Sequence, residues 1–197
     1  MSTTNTGENE RMSRIENCKE KVQSCVKTGG FSKLRHVLAL KAPQDSGKTT
    51  ILKMVIEKLY DRDPKTWMGT GQKRFKKFDR SRVTNYSVAN AVSGEYCGVF
   101  SIDGVLVVVS TVGDYTNYIV GNFKVFASAK AVIGVTAVRE GNIAEVAYDV
   151  FCAELGFEAT VIQLSGRYCG SKFEKEERIE ADRIVERILA LVGEFVV

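Results

Sequence analysis

Residues 36–50 read H-V-L-A-L-K-A-P-Q-D-S-G-K-T-T, followed at 51–59 by I-L-K-M-V-I-E-K-L. An apolar run, a short polar loop and a second apolar stretch predict a strand, a tight turn and a helix. Pro43 biases Ala42 toward extended geometry, which suits a strand end running into the loop. At the helix start the first backbone N–H groups have no intrahelical partner, and the helix dipole favours an anion there. Gly47 carries no Cβ, so an anion can approach the backbone closely. Lys48 and the hydroxyl of Thr49 stand directly behind it. The unusual residue is Asp45, an acid inside a loop suited to an anion.

By Ala42, Gly47, Lys48 and Thr49, the pattern A-x-x-x-x-G-K-T, the chain resembles the P-loop NTPase superfamily, with Ala42 where the strict pattern has Gly. The resemblance implies a nucleoside triphosphate, with ATP and Mg²⁺ expected. Its phosphates would lie against Gln44, Asp45, Ser46, Gly47, Lys48, Thr49 and Thr50. Lys48 would neutralise the β- and γ-phosphates and Thr49 would ligate the metal.

Working outward, strands alternating with helices predict an α/β domain over residues 31–197. The expected architecture is three-layer α/β/α, P-loop NTPase-like, with a mainly parallel central sheet and one antiparallel hairpin. The hairpin signal is the strongest: Y-C-G-V-F-S-I at 96–102, Asp103-Gly104, then V-L-V-V-V-S-T at 105–111. Asp-Gly supplies the two left-handed residues of a type I′ turn. The second arm, nearly continuously apolar, is expected at the sheet centre. Beyond it the pattern predicts a helix near 115–129, a strand at 131–138, a helix over 142–155, a strand at 159–164 and a charged helix over 173–193. Before the first strand, residues 1–12 are expected to be a disordered tail and 13–30 a helix stopped by Gly29-Gly30. That helix would pack on the sheet edge, with a partner-binding role as the alternative.

A length of 197 residues accommodates one such domain with a full core, and 44% apolar residues is ordinary for a globular chain. No run approaches the roughly 18 apolar residues of a membrane span, and the polar start lacks a signal-peptide core. Five cysteines, at 18, 25, 97, 152 and 169, form no C-x-x-C pair. Reduced thiols and a cytoplasmic location are the expectation, with no membrane contact. The single histidine, His36, reads as structural. A net charge of +4 is too mild to imply nucleic acid. Residues 65–82 carry seven Lys or Arg interleaved with Trp67, Phe75 and Phe78. This segment is a candidate surface for a protein or nucleic-acid partner, with a solvated loop as the favoured reading.

P-loop proteins hold their metal with a second acid beyond a central apolar strand. Asp114 is the first acid after Val105–Val109 and is therefore the candidate metal-side residue with Thr49; capping the next helix is its alternative role. Arg139 and Arg167 follow later strands and are candidates to stabilise transferred phosphoryl charge, Arg139 first, although Arg139–Glu140 can equally form a surface pair. Ser110 stands where regulatory GTPases have Asp, and no N-K-x-D motif follows, so a guanine-specific switch is not expected. The expectation is a small NTPase or phosphotransferase, with Lys48, Asp114 and Arg139 as its working side chains. The alternative is a nucleotide-dependent interaction module with little turnover.

Overall fold

Strand β1 (His36–Ala42) is buried along nearly its whole length because both of its faces are covered. Leu38 and Leu40 point into one hydrophobic cluster, Val37 and Ala39 into another, as the two-residue period of a strand requires. The structure, a computed structural model, describes residues 5–60, 83–92, 95–164 and 171–196. β1 lies between two parallel neighbours, β5 (Ile133–Arg139) and β6 (Glu158–Gln163). On the far side of β5 comes β4 (Val105–Ser110), also parallel to it. Two antiparallel strands, β3 (Glu95–Ile102) and β2 (Val83–Val92), complete the sheet, whose order is β2-β3-β4-β5-β1-β6.

Helices α2 (Lys48–Tyr60) and α5 (Glu174–Phe195) cover the face carrying Leu38 and Leu40. Helices α1 (Asn5–Thr28), α3 (Thr116–Ser128) and α4 (Ile143–Leu155) cover the other. On that second face the rings of Phe123 and Phe151 stack at 3.9 Å with an interplanar angle of 3°. The expected three-layer α/β/α class with a mainly parallel sheet is therefore the observed one. Asp103 (φ 49°) and Gly104 (φ 82°) are both left-handed, the geometry that a two-residue hairpin turn demands.

Three differences from expectation have physical causes. The antiparallel part is larger than one hairpin, because β2 pairs with β3 along 83–92. Its sequence, V-T-N-Y-S-V-A-N-A-V, mixes β-formers with two asparagines and has no clean apolar period. The N-terminal helix begins at Asn5, inside the stretch expected to be a disordered tail. Cys18, Val22 and Cys25 anchor its later turns in the core, and an anchored helix propagates outward at little cost through polar residues. Glu8 in its first turn complements the dipole. Finally, α1 packs on α4 and α3 as part of the outer layer and not at the sheet edge. The basic segment 65–82 and Arg167 lie outside the described residues. Among those described, no helix is long and apolar enough to cross a membrane.

Candidate functional site

The parallel strands end along one edge of the sheet, and the loop after β1 sits there. The loop is closed by its own side chains: Ser46 Oγ donates to the Pro43 carbonyl at 2.7 Å. Asp45 (φ 54°) and Gly47 (φ 84°) are both left-handed. This accounts for the acid in the loop, because Asp is among the few residues other than Gly that adopt this conformation readily. Alternating left-handed residues belong to the backbone habit that turns successive N–H groups toward an anion. Gln44 and Asp45 are exposed, whereas Ser46 is buried. The first intrahelical bond of α2 runs from Ile51 N to Gly47 O at 2.9 Å. The N–H groups of Lys48, Thr49 and Thr50 therefore precede the hydrogen-bond ladder.

Lys48 is only 5% exposed. Its Nζ donates to Pro43 O at 2.6 Å, Ala42 O at 3.1 Å and Ser46 Oγ at 3.3 Å, so the ammonium is tied across the loop it follows. Burial lowers its pKa, the Asp114 carboxylate opposes that, and Arg139 adds to it. The structure thus gathers Lys48, Asp114 and Arg139 within one electrostatic environment, which the sequence alone left as separate candidates.

The acid that meets Thr49 is a different one from that expected. Thr49 Oγ1 donates to Glu95 Oε1 at 3.2 Å. The other oxygen, Glu95 Oε2, accepts a close hydrogen bond from Thr111 Oγ1. Thr111 is itself fixed, its Oγ1 accepting from Tyr96 N at 2.9 Å and its N–H donating to Tyr96 O at 3.0 Å. Glu95 opens β3, and a strand antiparallel to β4 begins where β4 ends. The Asp103-Gly104 turn already implies this register, which pairs Cys97 with Ser110 and carries residue 95 to the end of β4. That was the signal available in the sequence.

Asp114 stands partly buried in a loop clamped from three directions. Arg139 N donates to Gly113 O at 3.1 Å, and Asn142 Nδ2 donates to Asp114 O at 2.8 Å. Beneath it, Asn122 Nδ2 donates to Val112 O at 2.8 Å and to Thr136 Oγ1 at 2.9 Å, while Asn122 Oδ1 accepts from Ser110 Oγ at 2.7 Å. The cap of α4 falls to Asn142, whose side chain accepts from Ala144 N; α3 has Tyr115 at its N-cap with no side-chain cap bond. Asp114 therefore caps neither helix.

Arg139 ends β5 in register with Ala42 and makes no ion pair among the described residues. Its neighbour Glu140 accepts from Gln163 Nε2 at 3.0 Å, so the two do not form a surface pair. His36 lies at the opposite end of the sheet, 3% exposed, with Nε2 2.8 Å from Thr160 Oγ1. Burial lowers its pKa despite Glu158 nearby.

Among the described residues no three His, Cys, Asp or Glu side chains form a metal cluster. Mg²⁺ held with a nucleotide needs no such cluster, since phosphates and waters complete its shell. The hydroxyl of Thr49 beside the Glu95 carboxylate is the hard-oxygen pair that such a metal prefers, and the site fits it on that ground. No protein-family model, no curated protein and no solved structure matches this chain.

Proposed function

We propose that the chain binds a nucleoside triphosphate with Mg²⁺, ATP being the expected one, and acts as a small NTPase or phosphotransferase. One observation carries this reading. A buried lysine is tied across a loop with left-handed residues at 45 and 47, directly ahead of a helix N-terminus. A lysine buried at a helix start, its ammonium held by two carbonyls and a hydroxyl, is poorly explained by stability, because burial works against its charge. An anion at this helix start would offset that cost and accept from the N–H groups that precede the ladder.

In this reading the N–H groups from Asp45 to Thr49 hold the phosphates and Lys48 neutralises the β- and γ-phosphoryl oxygens. Bound Mg²⁺ would supply Lewis-acid polarisation of those oxygens; Thr49 would hold it, with Glu95 and Asp114 as the carboxylates at hand. Arg139 would stabilise charge developing on the transferred group. The residues act by positioning and electrostatics.

Calorimetric titration of ATP and GTP, with and without Mg²⁺, tests the reading. Lys48→Ala should weaken binding by about 100-fold, or ~2.7 kcal/mol, the size of a lost charge-assisted contact. Absence of binding to the wild type at millimolar nucleotide would end the proposal. Tight binding with negligible turnover would favour the interaction module over the enzyme.

A further inference from the structure

We infer that Glu95, supplied by the antiparallel strand β3, is the acid that holds the nucleotide's Mg²⁺ together with Thr49, in place of Asp114. The inference rests on the nucleotide reading above and assigns the metal side of that site. Three observations carry it. First, Glu95 is the carboxylate bonded to the Thr49 hydroxyl, at 3.2 Å. A cation taken up by that hydroxyl would therefore find Glu95 next to it. Second, the carboxylate is oriented from behind: Thr111 Oγ1 donates to its second oxygen, and the Tyr96 backbone holds Thr111 through two bonds. Outer-sphere partners of this kind fix the direction of a ligating carboxylate. Third, Glu95 forms no ion pair with Lys or Arg among the described residues. Among the described residues its half-buried carboxylate is held by hydroxyls alone, and a divalent cation would complete its environment.

Asp114 has a different electrical role. Of the charges acting on Lys48, the Asp114 carboxylate most opposes the lowering of the lysine's pKa by burial. Helix α2 explains the division. Thr49 and Lys53 lie one turn apart on one face of α2. Lys53 Nζ sits 5.5 Å from the centre of the Tyr96 ring, next to Glu95 in the chain. That face of the helix looks at the start of β3. Thr49, on that face, therefore meets an acid supplied by β3.

The test measures the ratio of ATP dissociation constants without and with Mg²⁺, using the full chain. In the isosteric Glu95→Gln variant this ratio should fall by at least about 10- to 100-fold, the cost of losing even an outer-sphere partner of a metal site. Electron paramagnetic resonance of Mn²⁺ with ADP should show the same loss of bound metal. A ratio unchanged in Glu95→Gln, or lost in Asp114→Asn instead, would overturn the assignment. A Glu95→Gln variant that is merely less stable, with the ratio intact, would make the carboxylate a structural tie and would also overturn it. Should Glu95→Gln fail to fold, Thr111→Val carries the test. A reduced ratio restored by Thr111→Ser supports the role, and an unchanged one sinks it. Failure of the nucleotide reading itself is separable: the wild type would then bind ATP in neither condition.

Discussion

Asp45 and Gly113 are the residues whose identities depend most on where the backbone goes. Asp45 looks misplaced in a loop suited to an anion until its φ of 54° is known. A β-branched residue there would be strained, whereas Asp tolerates the position and leaves its carboxylate in solvent. Gly113 answers to a different constraint, close approach. A Cβ at this position would lie 2.0 Å from the carbonyl oxygen of Ala137 and 2.3 Å from its carbon. Backbone cannot yield as a flexible side chain can, so Gly113→Ala should cost about 3 kcal/mol or more by chemical denaturation. A smaller loss would mean that the loop swings away from β5, and Asp114 with it. The sequence places both residues in loops; the backbone constraint that each one meets is set by the fold.

At the scale of elements, the segment 110–114 joins β4 to α3 through one buried amide. Asn122 is 6% exposed and bonded to Ser110, Val112 and Thr136 at once. Asn122→Ala would leave Ser110 Oγ and the Val112 carbonyl short of a partner, while Thr136 Oγ1 keeps its bond to Ala137 O at 3.0 Å. At roughly 1–3 kcal/mol for each such group, partly relieved by entering water, a loss of about 3 kcal/mol is expected in denaturant melts. Asn122→Ala in a chain as stable as wild type would show that the network contributes nothing net. An asparagine inside an apolar helix reads from sequence as a mild defect, since its partners come from two other strands. The hairpin was legible for the opposite reason: Asp103 and Gly104 are adjacent, and their local chemistry sets the register of all of β3 and β4. Strand β2 had no such marker and was not anticipated.

At the scale of the whole molecule, the two helical layers bury different chemistry. The α1–α3–α4 face is largely aromatic and aliphatic, whereas the α2–α5 face also carries acids. Glu57 is 6% exposed and Glu177 5% exposed, and burial raises the pKa of each to about 7. Arg178 and Lys53 oppose the shift at Glu57, yet its Oε1 meets no hydrogen-bond partner among the described residues. A carboxyl whose folded pKa lies above its unfolded value binds protons preferentially in the folded state. Its stabilising contribution is complete below pH ~4.5 and is lost as pH rises through about 7. Glu57→Gln should therefore raise stability at pH 8, by up to about 3 kcal/mol at 1.36 kcal/mol per pKa unit. The gain should vanish near pH 4. An equal gain at both pH values would exclude a proton-linked cause.

Short-range patterns carry what the sequence by itself determined: the α/β class, the strand–loop–helix around Gly47 and Lys48, and most of the later elements. Each depends on residues a few positions apart, whose spacing and turn chemistry act before any distant contact forms. Only the tertiary structure decided which acid meets Thr49, what fixes Asp114, and that Arg139 and Lys48 share one environment. Those outcomes depend on strand order. β5 lies between β1 and β4, so the loop after β1 and the end of β4 belong to strands that are not neighbours. The path of α2 toward β3 then brings Thr49 to Glu95, a residue 46 positions away in the chain. Such a pairing is set by how sheets and helices pack, and no local spacing encodes it.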